Sequence, residues 1–217
     1  MFYKDSRQIY RVPALDAFSW LEHGFGTRTA DVPQLYSNLA MLKQVHSTDC
    51  VAAGGRSGIV AVGDALLESL PGAVVAVRTA DCIPIVLVDE RHRAVAAVHA
   101  GWRGTVARIG PRAVAAMRER FGTEPADLHA AIGPGIGKCC YEVGPEVAVH
   151  FGEQGRAHID LAEANRLQLI ASGVTPGRIY ASNLCTMCRP EEFHSYRRDR
   201  EAAGRMHSFA GIRPAVQ

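Results

Sequence analysis

The sequence predicts an α+β fold, a layered α/β sandwich with mixed sheets in a single domain over residues 1–217, and three observations support it. Short apolar runs rich in β-branched residues, Ala73–Val77, Ile85–Val88 and Ala94–Val98, have strand length and suit a buried sheet. Past His99 the apolar spacing becomes helical, through Val106, Ile109, Ala113, Met117 and Phe121. Strands and helices then mix along the chain without the strict alternation of a doubly wound sheet.

A strand ending at Val98 feeds that helix through His99-Ala-Gly-Trp-Arg-Gly-Thr105. Pro111 has no amide proton to give, so either the first turn stands apart or the helix proper starts near Pro111. Leu128–Ile132 reads as a further strand, ending at Gly133-Pro-Gly-Ile-Gly137, where the backbone must turn tightly or approach a neighbour closely. Asp160 and Glu163 have the spacing of a capping box, opening a helix from Leu161 to about Ser172 that stops at Gly173. Ile179 to Ile212 reads as short strands and loops.

With 47% hydrophobic and 21% charged residues the chain can bury a sizeable core, and no linker, repeat or low-complexity tract divides it. The net charge of +2 gives no general attraction to polyanions, so neither nucleic acid nor a membrane surface is an expected partner. The opening MFYKDSRQIYRVPAL lacks the apolar core of a secretory signal, and no run reaches the roughly 18–20 apolar residues of a membrane span. The expected location is the cytoplasm. There the six cysteines are expected as metal ligands or buried free thiols rather than disulfides.

Three segments, Gln44-Val-His46, Thr79-Ala-Asp-Cys82 and Val98-His99, each set one zinc-ligand residue where a strand meets a loop. If they converge, they form a mixed nitrogen and thiolate set with a fourth position free, the pattern of catalytic zinc. The competing reading is strand-end residues satisfied by hydrogen bonds, since separations of 36 (46 to 82) and 17 (82 to 99) match no short ligand motif. Cys185-Thr-Met-Cys188 with Cys139-Cys140 has the residues of a four-cysteine zinc site, but two adjacent ligands are strained and buried thiols are the expectation. Gly133–Gly137 can cradle an anion with its amides or be a structural turn. Phe193-His-Ser-Tyr-Arg-Arg-Asp-Arg200 suits base stacking with phosphate pairing, or a salt-bridged face.

Together these segments resemble a widespread bacterial family once labelled multicopper polyphenol oxidase or laccase-like and later understood as purine nucleoside phosphorylases with adenosine deaminase activity. The resemblance rests on Gly26-Thr-Arg28, Gln44-Val-His46, Gly63-Asp64-Ala65-Leu66, Thr79-Ala-Asp-Cys-Ile-Pro84 and Ala97-Val-His-Ala-Gly-Trp-Arg-Gly104. It continues through Ile132–Gly137, Cys140-Tyr-Glu-Val-Gly144, Asn165-Arg-Leu-Gln168, Cys185-Thr186 and Ser195-Tyr-Arg-Arg198 through Gly204-Arg205.

The resemblance implies one zinc ion per chain on His46, Cys82 and His99, as the catalytic centre of a zinc-dependent enzyme. Copper is the less suited metal, because a multicopper oxidase needs many ligands, commonly in His-x-His pairs, and the sequence has no such pair. Adenosine, inosine, guanosine and methylthioadenosine, with inorganic phosphate, are the implied partners. Asp81 and Asp64 are candidate proton carriers by proximity to the ligands. Arg28, Lys43, Arg103, Arg197 and Arg198 are candidate substrate-binding groups because they lie in or beside matched motifs. Family members have a longer stretch before Gln-Val-His, with a helix whose arginine reaches the active site, whereas Asn38-Leu39 here runs almost directly into Lys43-Gln44. The cleft is therefore expected to be open on that side unless residues 1–20 fill it. Alternatives are a polyphenol oxidase-type oxidoreductase, a hydrolase editing cell-wall precursors with Cys82 as nucleophile, and a non-catalytic zinc-binding regulator.

Overall fold

A computed structural model describes residues 1–214. Its strands, in chain order, begin with Tyr3–Lys4 (β1), Ile9–Arg11 (β2), Leu21–Gly26 (β3), Leu39–Lys43 (β4) and Cys50–Ala52 (β5). Gly58–Val62 (β6), Ala65–Glu68 (β7), Val74–Thr79 (β8), Ile83–Asp89 (β9) and Ala94–Ala100 (β10) follow. The last are Leu128–Ile132 (β11), Glu142–Val143 (β12), Ala157–His158 (β13), Ile179–Ala181 (β14) and Met206–Ile212 (β15). Among the described residues one sheet has the order β1-β2-β3-β15-β8-β4-β6 and a second β14-β11-β9-β10-β7-β5. Both are mixed, since β4 runs parallel to β6 and β8, β11 to β14 and β5 to β7, while the other pairs are antiparallel.

Every residue of β9 and β10 is buried, because both faces of the second sheet are covered. Ile83, Ile85 and Leu87 point to one face and Val86 and Val88 to the other, so these strands read as continuous apolar runs and not as an alternation. One face packs on Val75, Val77, Ala210 and Ile212 of the first sheet. The other packs on Ile109, Ala113 and Met117 of the helix Ile109–Phe121 and on Leu161 and Leu169 of the helix Leu161–Ala171. The result is the expected layered sandwich, ordered sheet, sheet, helices.

The helical run after His99 is two helices, Trp102–Val106 and Ile109–Phe121, broken at Arg108 in the left-handed region (φ 63°). Pro111 lies in the first turn of the second, where its missing amide proton leaves no helical hydrogen bond unmade. The Asp160 side chain accepts the Glu163 amide at 2.9 Å, but Glu163 turns to Arg166, so only half of the capping box forms. A short helix, Tyr196–Asp199, lies inside the stretch expected to be strands and loops; Ser195 caps it by accepting the Arg198 amide at 3.3 Å. No helix among the described residues is long and apolar enough to cross a membrane.

His23 in β3 gives the fold an acid-sensitive point. Its Nε2 accepts the Val12 amide at 3.0 Å, which requires a neutral ring with the proton on Nδ1. Burial, followed by the charges of Arg11 and Arg213, pushes its pKa down to about 3. Between that value and about 6.5 the unfolded chain binds the extra proton, so the contribution to stability is full above pH ~6.5 and is lost as pH falls toward 3. The His23→Gln variant, compared with the parent by urea unfolding at pH 7 and pH 4.5, should show a shallower loss, by up to about 1.4 kcal/mol per pH unit. Equal slopes in the two proteins would remove His23 from this role.

Candidate metal centre

At one edge of the sandwich the loops after β4 and β8 present His46 and Cys82, and β10 presents His99, one residue before its end. Gln44 extends the ladder by its side chain, donating Nε2 to the Arg78 carbonyl at 2.8 Å and accepting the Arg78 amide at 2.8 Å. His46 follows in the left-handed region (φ 60°), and Asp81, which precedes Cys82, is also left-handed (φ 85°). Such conformations cost about 1–2 kcal/mol in non-glycine residues and persist only when neighbours enforce them.

Asp64 enforces the first. Its fully buried carboxylate accepts the amides of Val45, His46 and Ser47 at 3.2, 3.1 and 2.6 Å and the Ser47 hydroxyl at 2.9 Å. It also pairs with His99 Nδ1 at 2.8 Å, leaving Nε2 of that ring free to face His46 and Cys82. Burial would raise the Asp64 pKa, but these donors, His99 first, hold it down at about 2. Asp81 is held as firmly: it accepts the hydroxyls of Thr186 and Ser195 at 2.6 and 3.1 Å and the Arg197 amide at 2.6 Å.

One donor atom each from His46, Cys82 and His99 lie within 4.8 Å of one another, with Cys82 Sγ 4.0 Å from His46 Nε2. Burial would push the Cys82 thiol up, but the His46 and His99 imidazoles hold it down at about 6; burial would push His99 down, but Asp64 and Cys82 hold it up at about 9. A Cβ on Gly101 would sit 2.9 Å from Cys82 Sγ and 3.1 Å from His46 Cδ2, so glycine is what leaves the three donors room to close on an ion. The donor set, nitrogen with thiolate and open on one side, fits zinc.

The triad opens into a cavity of about 860 Å³. Five arginines line it, Arg78, Arg103, Arg197, Arg200 and Arg205, against one carboxylate, that of Asp81, among the described lining residues. Tyr141 and Tyr196 supply aromatic faces, and burial pushes the Tyr141 phenol up to about 12. Arg197 lies over the Tyr141 ring, 5.2 Å from its centroid, and donates to the Glu142 carbonyl at 2.8 Å.

Residues 27–213 match the family model described as multi-copper polyphenol oxidoreductase laccase. The chain belongs to this laccase family. A relative from Deinococcus radiodurans, named purine nucleoside phosphorylase, is 42% identical over 185 residues, which cover 81% of this chain and 70% of that protein. A second, from an unknown prokaryotic organism and named adenosine deaminase RL5, is 44% identical over 163 residues, 69% of this chain and 61% of that protein. The crystal structure of YlmD from Geobacillus stearothermophilus matches with a TM-score of 0.90 at 29% identity over 98% of each chain.

In this laccase-family chain the structure brings His46, Cys82, His99, Asp81, Arg103 and Arg197 to one cavity, with Asp64 directly behind His99. Arg28, Lys43 and Arg198 are not among the lining residues. Arg28 donates to the Pro190 carbonyl at 2.5 Å, while Arg198 clamps the carbonyls of Thr186, Met187 and Phe193 and pairs with Asp199. Of the other lining arginines, Arg200 ends the aromatic-basic run and Arg205 closes the motif that starts at Ser195, whereas Arg78 was not singled out and is marked only by its strand meeting Gln44. None of residues 1–20 lines the cavity. Gly133–Gly137 offers no anion cradle, because the amides of Gly133, Gly135, Ile136 and Gly137 are spent on Pro84, Leu184, Asp81 and the Cys185 sulfur. Its glycines serve close packing: a Cβ at Gly133 would strike the Phe25 ring and one at Gly135 the Ile83 side chain. The aromatic-basic run divides, Phe193 lying in the core and Tyr196, Arg197 and Arg200 on the cavity.

Proposed function

We propose that this chain is a cytoplasmic zinc-dependent purine nucleoside phosphorylase with adenosine deaminase as a second activity, acting on adenosine, inosine, guanosine and methylthioadenosine. The observation that carries this reading is a strongly cationic cavity, of a volume suited to a small-molecule site, with the His46–Cys82–His99 triad in its wall. The names of the relatives supply the substrate class.

Phosphorolysis needs a dianion placed in line with C1′ of the ribose and a purine that leaves from N9. The cavity arginines suit the first requirement, since guanidinium groups pair with phosphate in a fixed fork geometry. Tyr141 and Tyr196 present faces for the base, and the Tyr141 hydroxyl is a proton-bearing group suited to a developing charge on the purine. In deamination, water adds at C6 of adenine and ammonia departs. Zinc, when bound to His46, Cys82 and His99, supplies the Lewis acidity that gives water nucleophilic strength near neutral pH.

Asp64 and Asp81 act in this reading as positioning residues and not as proton carriers, because all their oxygens are already engaged by donors. Asp64 aims His99 and shapes the His46 loop; Asp81 ties Arg197 beside Cys82. A multicopper oxidase is not supported by the donors, since the candidate clusters among the described residues hold two histidines in all.

Incubation with adenosine, with and without phosphate, tests the proposal. Inosine should form in both conditions, while adenine and ribose 1-phosphate should form only when phosphate is present. Zinc-replete protein that gives neither adenine nor inosine, and no hypoxanthine from inosine, would end the nucleoside reading.

A further inference from the structure

A second group of metal-ligand residues lies outside the catalytic triad. Cys139 and Cys140 follow β11, Cys185 and Cys188 follow β14, and β11 and β14 are parallel neighbours. Their four sulfur atoms all lie within 4.8 Å of one another, with Cys188 Sγ 3.6 Å from Cys139 Sγ and 3.3 Å from Cys140 Sγ. In a tetrahedral zinc site with Zn–S near 2.3 Å, neighbouring sulfurs stand about 3.8 Å apart. Contrary to the expectation of burial, Cys139 and Cys188 are exposed, and the four thiols form one cluster.

The local backbone is shaped for this cluster. The Cys140 and Tyr141 amides both bond to the Gly137 carbonyl, at 2.9 and 3.0 Å, so the chain turns tightly and the adjacent sulfurs of Cys139 and Cys140 both reach Cys188. The Gly137 amide donates to Cys185 Sγ at 3.2 Å, an N–H···S bond that favours a thiolate. A Cβ on Gly137 would lie 3.3 Å from Cys139 Sγ and 3.5 Å from Cys185 Sγ, intruding on the cluster.

We infer that Cys139, Cys140, Cys185 and Cys188 form a second, structural zinc site. The four thiols give up their protons as Zn²⁺ enters, leaving a centre of net charge −2 with no position for substrate. The ion would staple one loop that lines the catalytic cavity to another that backs it. Tyr141, next to Cys140, lines the cavity, and Thr186, next to Cys185, donates to the Asp81 carboxylate. Its work is to hold those walls in place.

The test is metal analysis of the full chain purified without chelator. Two zinc ions per chain are expected, with one remaining in Cys185→Ser/Cys188→Ser, one in His99→Ala and none in the triple variant. Cys188→His keeps a Cys₃His set and should keep the second zinc, which separates ligand loss from misfolding. Substitution with cobalt should give a thiolate-to-metal charge-transfer absorption that drops sharply in the Cys185→Ser/Cys188→Ser protein and survives in His99→Ala. A single zinc lost only from His99→Ala, with the four cysteines alkylated freely or joined by a Cys140–Cys188 disulfide in the native protein, would overturn the inference. A single zinc lost only with the cysteines would instead uphold it and remove the triad site.

Discussion

Replacing Asp64 by alanine is expected to lower zinc affinity at the triad about 10–100-fold and to destabilise the fold by about 2–4 kcal/mol. One carboxylate accepts the amides of Val45, His46 and Ser47, the Ser47 hydroxyl and the His99 Nδ1 proton. Without it, the left-handed turn at His46 loses what enforces it and His99 loses what aims it. Asp64→Asn should recover little, because an amide places a donor against donors already pointing at that oxygen. Zinc titration with a competing chelator and urea unfolding of the same samples measure both effects. Parent-like zinc affinity in Asp64→Ala would show that the ligands are positioned without it.

Larger still is the effect expected from Cys82→Ala and His99→Ala on turnover. Each removes one of three ligands, so zinc at the triad should be lost and both nucleoside reactions should fall together, by about 10³-fold or more. The two activities need different nucleophiles at different carbons, and a shared collapse would tie them to one centre. Gly101→Ala should give a milder form of the same defect, since its methyl group would press on the Cys82 sulfur and leave the fold around it intact. Steady-state assays of adenine and inosine formation decide the matter; loss of one product with the other at parent rate would separate the reactions.

The strands in the middle of the chain were legible because both faces of β9 and β10 are covered, which makes apolar character continuous. The helix Leu161–Ala171 was legible from its cap and its stopping glycine, both local features. Strand bounds in the first 68 residues were not assigned: β1, β5 and β6 are short or partly exposed, and the more buried β2, β3, β4 and β7 are runs of three to six residues. The short helix Tyr196–Asp199 was hidden for another reason. It depends on the Ser195 cap and on Asp81, more than a hundred residues away in sequence.

By itself the sequence determined the layered class of the fold, and its motifs singled out His46, Cys82 and His99, because ligand chemistry is carried by residue type. Which groups face the cavity was decided only by the tertiary structure. Arg197 points into it and the adjacent Arg198 into a cage of carbonyls, a difference set by the helix cap and the Asp81 anchor and invisible in two identical letters. The two carboxylates beside these residues have the same limit: residue type allows a proton carrier, but only the fold shows that each of their oxygens already accepts a hydrogen bond. The four cysteines show it most plainly. The adjacency of Cys139 and Cys140 argued against a common site, and only the parallel pairing of β11 with β14 and the turn after Gly137 bring the sulfurs within reach of one ion.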